Sequence, residues 1–520
     1  MHFEKARHRQ HVLHLRCNAC KILMDRVQRF VNHLDRLQHV LYFLPRLEPR
    51  PPIRCRIPGG GMTPTGSRLE TPAAARPSAE LRRVLGLWDM VFMIVGTVIG
   101  SGIFLVPGPI LRNVGHSVGL ALTVWLVGGV LSLFGALSYG ELSAMKPRAG
   151  GLYVYIHDCF GPFAAFLFGW TLFFVISSGS IATLAVAFGN YLGEFVQLSA
   201  VATKGVAVLM ILVIAAVNIR GTRQSADLLN VTTCIKVAAI LGVSALLLWR
   251  GTQPIFGGAR IATDAPAAGI SGFGLAMISV LWAYEGWQYA TFTAGETKNP
   301  QRTFPLAFLI GTASLIAIYF VANLGYLAAL GATGVAASNR VAASALASVV
   351  SHGAGKIVAL AILISMFSAA NSILLNAPRV YYAMAKDGLF FHSLSRIHPR
   401  FGTPALAVAV AGAWSAVLAA SGTFEQLLTY VVFIGWLFYA LAAASVFVYR
   451  KRLPNATRPY KVPGYPWTPG LFIAAALALV ANTIVSQPGR AAVGLGIVFL
   501  GAPAYLFWRR SSVTVVPGEA

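Results

Sequence analysis

The sequence predicts an all-α polytopic membrane protein with twelve transmembrane helices. Three observations carry that reading. The 520 residues are 56% hydrophobic and only 11% charged, whereas a soluble domain carries about 25% charged residues. Twelve apolar runs are each long enough to cross a bilayer as a helix of about 20 residues. The first and sixth of these runs are interrupted at mid-length by glycine and polar residues.

Residues 1–80 stand apart as a basic N-terminal leader that reads as disordered. Residues 1–61 hold 12 Lys and Arg against 4 Asp and Glu, with six of the eleven histidines. They contain no apolar core, so they are not a signal peptide. Cys17 and Cys20 form a CxxC beside many histidines. A metal site there lacks the second Cys pair of a tetrahedral set, and a flexible basic arm is the better reading. Met62 opens a Pro/Ala/Ser-rich run and is a candidate true start. Neither a metal nor a cofactor is expected.

The runs lie near 88–111, 118–145, 161–189, 203–219, 228–249 and 271–294, then near 305–331, 355–384, 404–421, 426–449, 468–486 and 491–508. With both termini cytoplasmic, the inner loops and tail carry 17 Lys and Arg, and the outer side carries 7. Cytoplasmic loops hold an excess of Lys and Arg, so the bias supports this orientation. A shift by one span would reverse it. Residues 81–249 then hold spans 1–5 and residues 270–450 hold spans 6–10. An odd number of spans gives the two units opposite orientations, and residues 467–508 add two peripheral spans.

The first break is GTVIGSGIF, Gly96–Phe104. Each glycine weakens a helix by about 1 kcal/mol relative to alanine. Broken helix survives in a membrane only where it is buried in protein or lines a cavity. The stretch is therefore either a site for a polar solute or a close helix crossing, since small residues let backbones approach. The second break lies in ISVLWAYEGWQYATF, residues 278–292, at Glu285 and Gly286. Interrupted segments at corresponding places in two halves point to a transporter site on inverted repeats.

Two charges fall inside predicted spans, and such residues are functional candidates by default. Lys236 lies about eight residues into span 5, roughly 12 Å along the helix, too deep to reach water easily. Glu285 has three open readings. It pairs with a cationic substrate side chain, carries a coupling proton, or faces an outer vestibule. Glu296, Lys298 and Arg302 follow span 6 and form either a cytoplasmic gate network or a solvated loop.

The motifs GTVIGSGIF, WAYEGWQY, GETKNPQRTFP and NAPRVYYAMAKDGLF occur in order from about Leu81 onward. Together they resemble the amino acid–polyamine–organocation superfamily, and in particular its L-type-like amino acid transporters and their bacterial relatives. The resemblance implies the LeuT-type fold of two inverted five-helix repeats with helices 1 and 6 broken. It also implies sodium-independent alternating access at the plasma membrane, as exchanger or proton-coupled symporter. Thr97, Gly100, Ser101, Gly102 and Ile103 would form the carboxylate side of an amino acid site. Free N–H groups and a positive dipole end there suit an anion. Carbonyls around Trp282, Ala283 and Glu285 would accept from the substrate ammonium. Trp282 matches an aromatic gate and Tyr289 a substrate-facing tyrosine, with packing the alternative for each. Lys236 matches a lysine that stands in for a coupling Na⁺, and some relatives with an acid at the Glu285 position accept cationic amino acids. Ser365 and Asn371 are secondary candidates.

Eukaryotic L-type light chains carry a cysteine after span 3 that bonds a heavy chain. Residues 191–204 have none, so no disulfide-linked partner is expected, and a bacterial plasma membrane is the expected home. A pI near 10.3 does not imply nucleic acid binding here, because the basic residues sit in loops and leader. The chain carries no P-loop or HExxH motif, so an enzyme is not expected. A polyamine transporter would leave the Gly-Ser-Gly site without a carboxylate to bind. A membrane sensor with a transporter fold would require a soluble output domain.

Overall fold

The computed structural model describes residues 81–193, 195–256, 270–350, 355–421, 424–486 and 488–512. The leader, with Cys17, Cys20 and Met62, lies outside them. In chain order the helices begin with α1 (Leu87–Val98), α2 (Gly102–Leu105), α3 (Pro107–Asn113) and α4 (Val118–Met145). Next come α5 (Leu152–Thr171), α6 (Ser177–Leu192), α7 (Ala200–Arg220), α8 (Thr222–Arg250) and α9 (Ile270–Ala283). A 3₁₀ stretch, Trp287–Glu296, leads into α10 (Pro300–Ala337), α11 (Val341–Val349), α12 (Gly355–Asn376) and α13 (Pro378–Lys386). The chain ends with α14 (Ala405–Ser421), α15 (Phe424–Arg452), α16 (Trp467–Ser486) and α17 (Pro488–Ser512).

Among the described residues, nine helical segments are long and apolar enough to cross a membrane. The sixth run falls short because its break leaves α9 with 14 residues. The ninth, α14, has 17. The third run begins earlier than its composition suggests: helix starts at Leu152 and turns at Gly161 (φ 86°), just before Pro162. The short helix α11 was not foreseen.

Burial orders these helices around one axis. The span made of α1 and α2 is 83% buried, whereas α7 and α8 are each 28% buried and expose residues such as Leu209, Val213 and Val231. Apolar residues facing outward on peripheral helices are what a lipid environment requires. The broken first span instead packs against α8, α10, α12 and the 3₁₀ stretch. Its irregular backbone is thus enclosed by protein, the condition under which such backbone is tolerated.

The extended residues before α1 fix it to the end of the 3₁₀ stretch that follows the second break. Val84 and Leu85 donate backbone N–H groups to the Glu296 carbonyl at 2.9 and 3.0 Å, and Lys298 donates to the Leu85 carbonyl at 2.8 Å. At this end Asp89 accepts from the Gly86 N–H, Arg223 and Asn230.

The same end holds a buried ion pair. Arg379 at the start of α13 donates to Glu296 through Nε at 2.6 Å and Nη2 at 3.1 Å. Thr222 bridges them, donating to Glu296 Oε2 at 2.6 Å and accepting from Arg379 at 2.8 Å. The two charged side chains are 1% and 0% exposed. Arg379, one of the 17 basic residues counted on the inner side, is thus buried in the fold and not a solvated loop charge. Glu296 belongs to a buried network, while Lys298 and Arg302 are exposed.

Candidate functional site

The first break is built from few residues. Ile99 adopts φ −73°, ψ 86°, the inverse γ-turn region, and the Gly100 N–H turns back to the Val98 carbonyl at 2.8 Å. That diverts the N–H from Gly96, its partner in a regular helix, four residues back. Lys236 supplies the replacement: its Nζ donates to the Gly96 carbonyl at 2.5 Å and to the Ile99 carbonyl at 2.8 Å. Ser365 on α12 adds bonds to Ile99 at 2.8 Å and Gly100 at 3.1 Å. Thr97 is held by the Met93 carbonyl at 2.6 Å and by Ser372 at 2.5 Å.

The second break turns on Gly286, whose φ of 130° is a conformation only glycine adopts readily. A Cβ there would lie 3.0–3.1 Å from Thr97 and the Val98 nitrogen, so the two breaks touch. Tyr319 from α10 stands between them, its hydroxyl 3.2 Å from the Val98 carbonyl and 3.0 Å from the Ala283 carbonyl. A hydroxyl carries one proton, so it serves either break at a given moment.

Between the breaks lies a cavity enclosing about 560 Å³ of empty space, part of it continuous with solvent. Thr97, Gly100, Ser101 and Gly102 line one side. Trp282, Ala283, Glu285 and Tyr289 line another, and Ser180 and Thr183 of α6 a third. Four buried polar atoms among these residues have no hydrogen-bond partner: Ser101 Oγ, Thr183 Oγ1, Tyr289 OH and Glu285 Oε2. An unsatisfied buried polar group costs about 1–3 kcal/mol, so four in one cavity call for an external partner.

Glu285 thus belongs to this cavity. Its Oε1 accepts from the Tyr439 hydroxyl of α15 at 2.8 Å, and no basic side chain pairs with it among the described ion pairs. Trp282 is half-buried against Gly102, with its ring 3.5 Å from a Cβ placed there.

Other candidates sit elsewhere. Lys236 and Ser365 hold the break from behind and do not line the cavity. Ile103 is fully buried in the core. Asn371 bonds Asn218 at 2.8 Å and the Ser225 carbonyl at 3.3 Å; it joins α12 to α7 and α8, as polar residues on packed spans often do. The carbonyls expected to await an ammonium are partly engaged. Trp282 accepts the Glu285 N–H at 3.1 Å and Ala283 faces Tyr319, leaving each one lone pair. Gly102 also serves the crossing that the sequence offered as an alternative: a Cβ there would lie 2.9 Å from Ala283 Cα.

Sequence reasoning missed Thr183, Ser180, Tyr319 and Tyr439. Each lies in a largely apolar helix, and its sequence neighbours do not show which face meets the breaks.

Comparison with known proteins agrees with this geometry. The family described as Amino acid permease matches residues 85–503. The Serine/threonine exchanger SteT of Bacillus subtilis (strain 168) is 31% identical over 428 residues, covering 82% of this chain and 96% of that protein. The Cystine/glutamate transporter of Homo sapiens is 34% identical over 452 residues, covering 86% and 88%. The b(0,+)-type amino acid transporter 1 of Homo sapiens is 33% identical over 418 residues, covering 79% and 84%. A multi-pass bundle with two apposed helix breaks, matched along most of its length, belongs to the amino acid permease family of the amino acid–polyamine–organocation superfamily.

Proposed function

We propose that this protein is a sodium-independent secondary transporter of amino acids that works by alternating access, as an exchanger. The observation that carries this reading is the cavity between the breaks, with its four unpartnered polar atoms. An α-amino acid presents a carboxylate and an ammonium on one carbon. Ser101 and Gly102 begin a new helix after the break and offer hydroxyl and N–H donors to the carboxylate. The remaining carbonyl lone pairs of Trp282 and Ala283 suit the ammonium. Glu285 extends the accepted range to cationic side chains. One relative is named as an exchanger, which favours exchange over proton symport.

In this reading the chain has twelve spans in two inverted five-helix units, with both termini cytoplasmic at a plasma membrane. The network of Glu296, Arg379 and Thr222 closes the cytoplasmic side. Lys236 takes the place of a coupling Na⁺. No disulfide-linked partner is needed, since residues 191–204 lack cysteine.

The test has two stages. Purified protein is screened for binding of the common amino acids and of polyamines; amino acid binding is expected, and polyamine binding alone would overturn the reading. Uptake into proteoliposomes preloaded with amino acid is then measured with Na⁺ replaced by choline. Uptake should persist in choline and collapse when the vesicles are empty. Strict Na⁺ dependence would sink the role given to Lys236.

A further inference from the structure

Among the described residues that line the cavity between the breaks, Glu285 is the one acid and there is no base. Its Oε1 accepts from the Tyr439 hydroxyl at 2.8 Å, and its Oε2 is shielded from solvent without a partner. Two titratable hydroxyls face the same space, Tyr439 of α15 and Tyr289 of the 3₁₀ stretch. A tyrosine carries no charge near neutral pH. From α1, α6 and α12 come Thr97, Ser101, Ser180, Thr183, Ala369 and Ile373, all uncharged. Lys236 of α8 is committed to the Gly96 and Ile99 carbonyls and does not line the cavity. No described side chain thus offers Glu285 a cationic partner.

This matters at one step of the cycle. While the cavity is open, water solvates an ionised carboxylate. Alternating access must close the cavity to one side before opening it to the other, and closure expels water. A carboxylate taken out of water is strongly disfavoured unless it is paired or takes up a proton. A substrate with a cationic side chain supplies the pairing. A neutral substrate does not, and a proton on Glu285 then serves the same purpose. In both loaded states the acid and its partner carry no net charge.

We propose that a proton on Glu285 and a cationic substrate side chain replace one another, so that the protein exchanges one cationic amino acid for one neutral amino acid together with one proton. The inference rests on the exchanger reading of the cavity. A cationic amino acid enters with Glu285 ionised. On the return leg Glu285 takes a proton from the inner side and releases it outside with the neutral amino acid. One positive charge moves each way, so the exchange is electroneutral. Exchange of neutral for neutral moves no net proton.

The experiment uses the full chain in proteoliposomes preloaded with serine, and follows accumulation of labelled lysine from outside. Making the interior one pH unit more acid, with the potential clamped at zero, should raise the lysine accumulation ratio about tenfold. An inside-negative potential at equal pH should leave it unchanged. If lysine crossed with its charge uncompensated, a potential of about 100 mV would raise the ratio about fiftyfold and the pH gradient would do nothing. That result overturns the proposal, and it needs no variant to fold. Labelled serine in place of lysine should respond to neither gradient; a serine response to pH would make the proton a symported ion and overturn it too. Glu285→Gln should abolish the pH response of lysine accumulation, and a variant that keeps it places the proton on another group and refutes the assignment. Serine exchange without lysine exchange removes this inference but leaves the transporter reading standing. No exchange of any amino acid removes both.

Discussion

Lys236 replaces helix hydrogen bonds that the first break gives up, donating to Gly96 and Ile99 from a fully enclosed position. Hydrogen bonds to charged groups contribute about 1.5–3 kcal/mol each. Lys236→Ala should therefore lower transport turnover by a factor of about ten or more, measured as initial uptake rate at matched reconstituted protein. Ser365 still holds Ile99, so the variant is expected to fold. Glycine substitutions separate the two roles of the break. A Cβ on Gly102 meets Ala283 at 2.9 Å, whereas one on Gly100 has its nearest neighbour at 3.6 Å. Overpacking a tight contact costs about 1–3 kcal/mol. Gly102→Val should abolish substrate binding in a binding assay, and Gly100→Ala should weaken it only a few-fold; equal effects would count against the crossing at Gly102. Both glycines and Lys236 were legible in the sequence, because a charge or a glycine cluster deep in an apolar run has few uses. The structural role of Asn371 was not, since an amide that bonds a neighbouring helix and one that bonds a substrate leave the same letter.

The two breaks work as a pair because they touch at Gly286 and Thr97 and share the Tyr319 hydroxyl. Tyr319→Phe removes one hydrogen bond, about 1 kcal/mol, and should weaken amino acid affinity roughly fivefold by isothermal titration. An unchanged affinity would make Tyr319 a packing residue only. The existence of both breaks could be read from residue type, whereas their contact could not. It depends on how α10 crosses α1, and nothing in the sequence of α10 sets Tyr319 apart from Tyr326 on the same helix. Helix ends were less legible than helix centres. The third run looked shorter than it is because Gly161 and Pro162 resemble a helix boundary, yet helix precedes them from Leu152.

Across the molecule, the end that holds Asp89, Glu296 and Arg379 is closed by ionic contacts, while the cavity sits between the breaks beyond them. Arg379→Ala would leave the Glu296 carboxylate buried and unpaired. Breaking a buried pair costs about 3–5 kcal/mol, so the variant should show a markedly lower melting temperature in detergent. The end that holds Glu296 should also react faster with a thiol reagent at an introduced Gly221→Cys. Normal stability and normal labelling would rule out a lock. Deletion of residues 1–61 should leave uptake intact, because the family match begins at residue 85; uptake lost from a normally inserted deletion variant would assign the leader a role. The overall class was legible because composition and the charge bias along the loops are properties of the whole chain. The burial of Arg379 was not, since counting charges near span ends does not reveal which of them find a partner.

The tethered cation at Lys236 has a thermodynamic consequence. An ion that binds from one compartment and is released into the other performs work, about 2.3 kcal/mol per elementary charge for each 100 mV of potential. The Lys236 ammonium is covalently part of α8 and returns with the protein after every cycle. Over a complete turnover it crosses no net potential and dissipates no concentration gradient. In the transporter reading proposed above, whatever drives uphill movement is then supplied by species that enter and leave the protein, and a lysine that keeps its proton through the cycle acts on the height of the barrier alone.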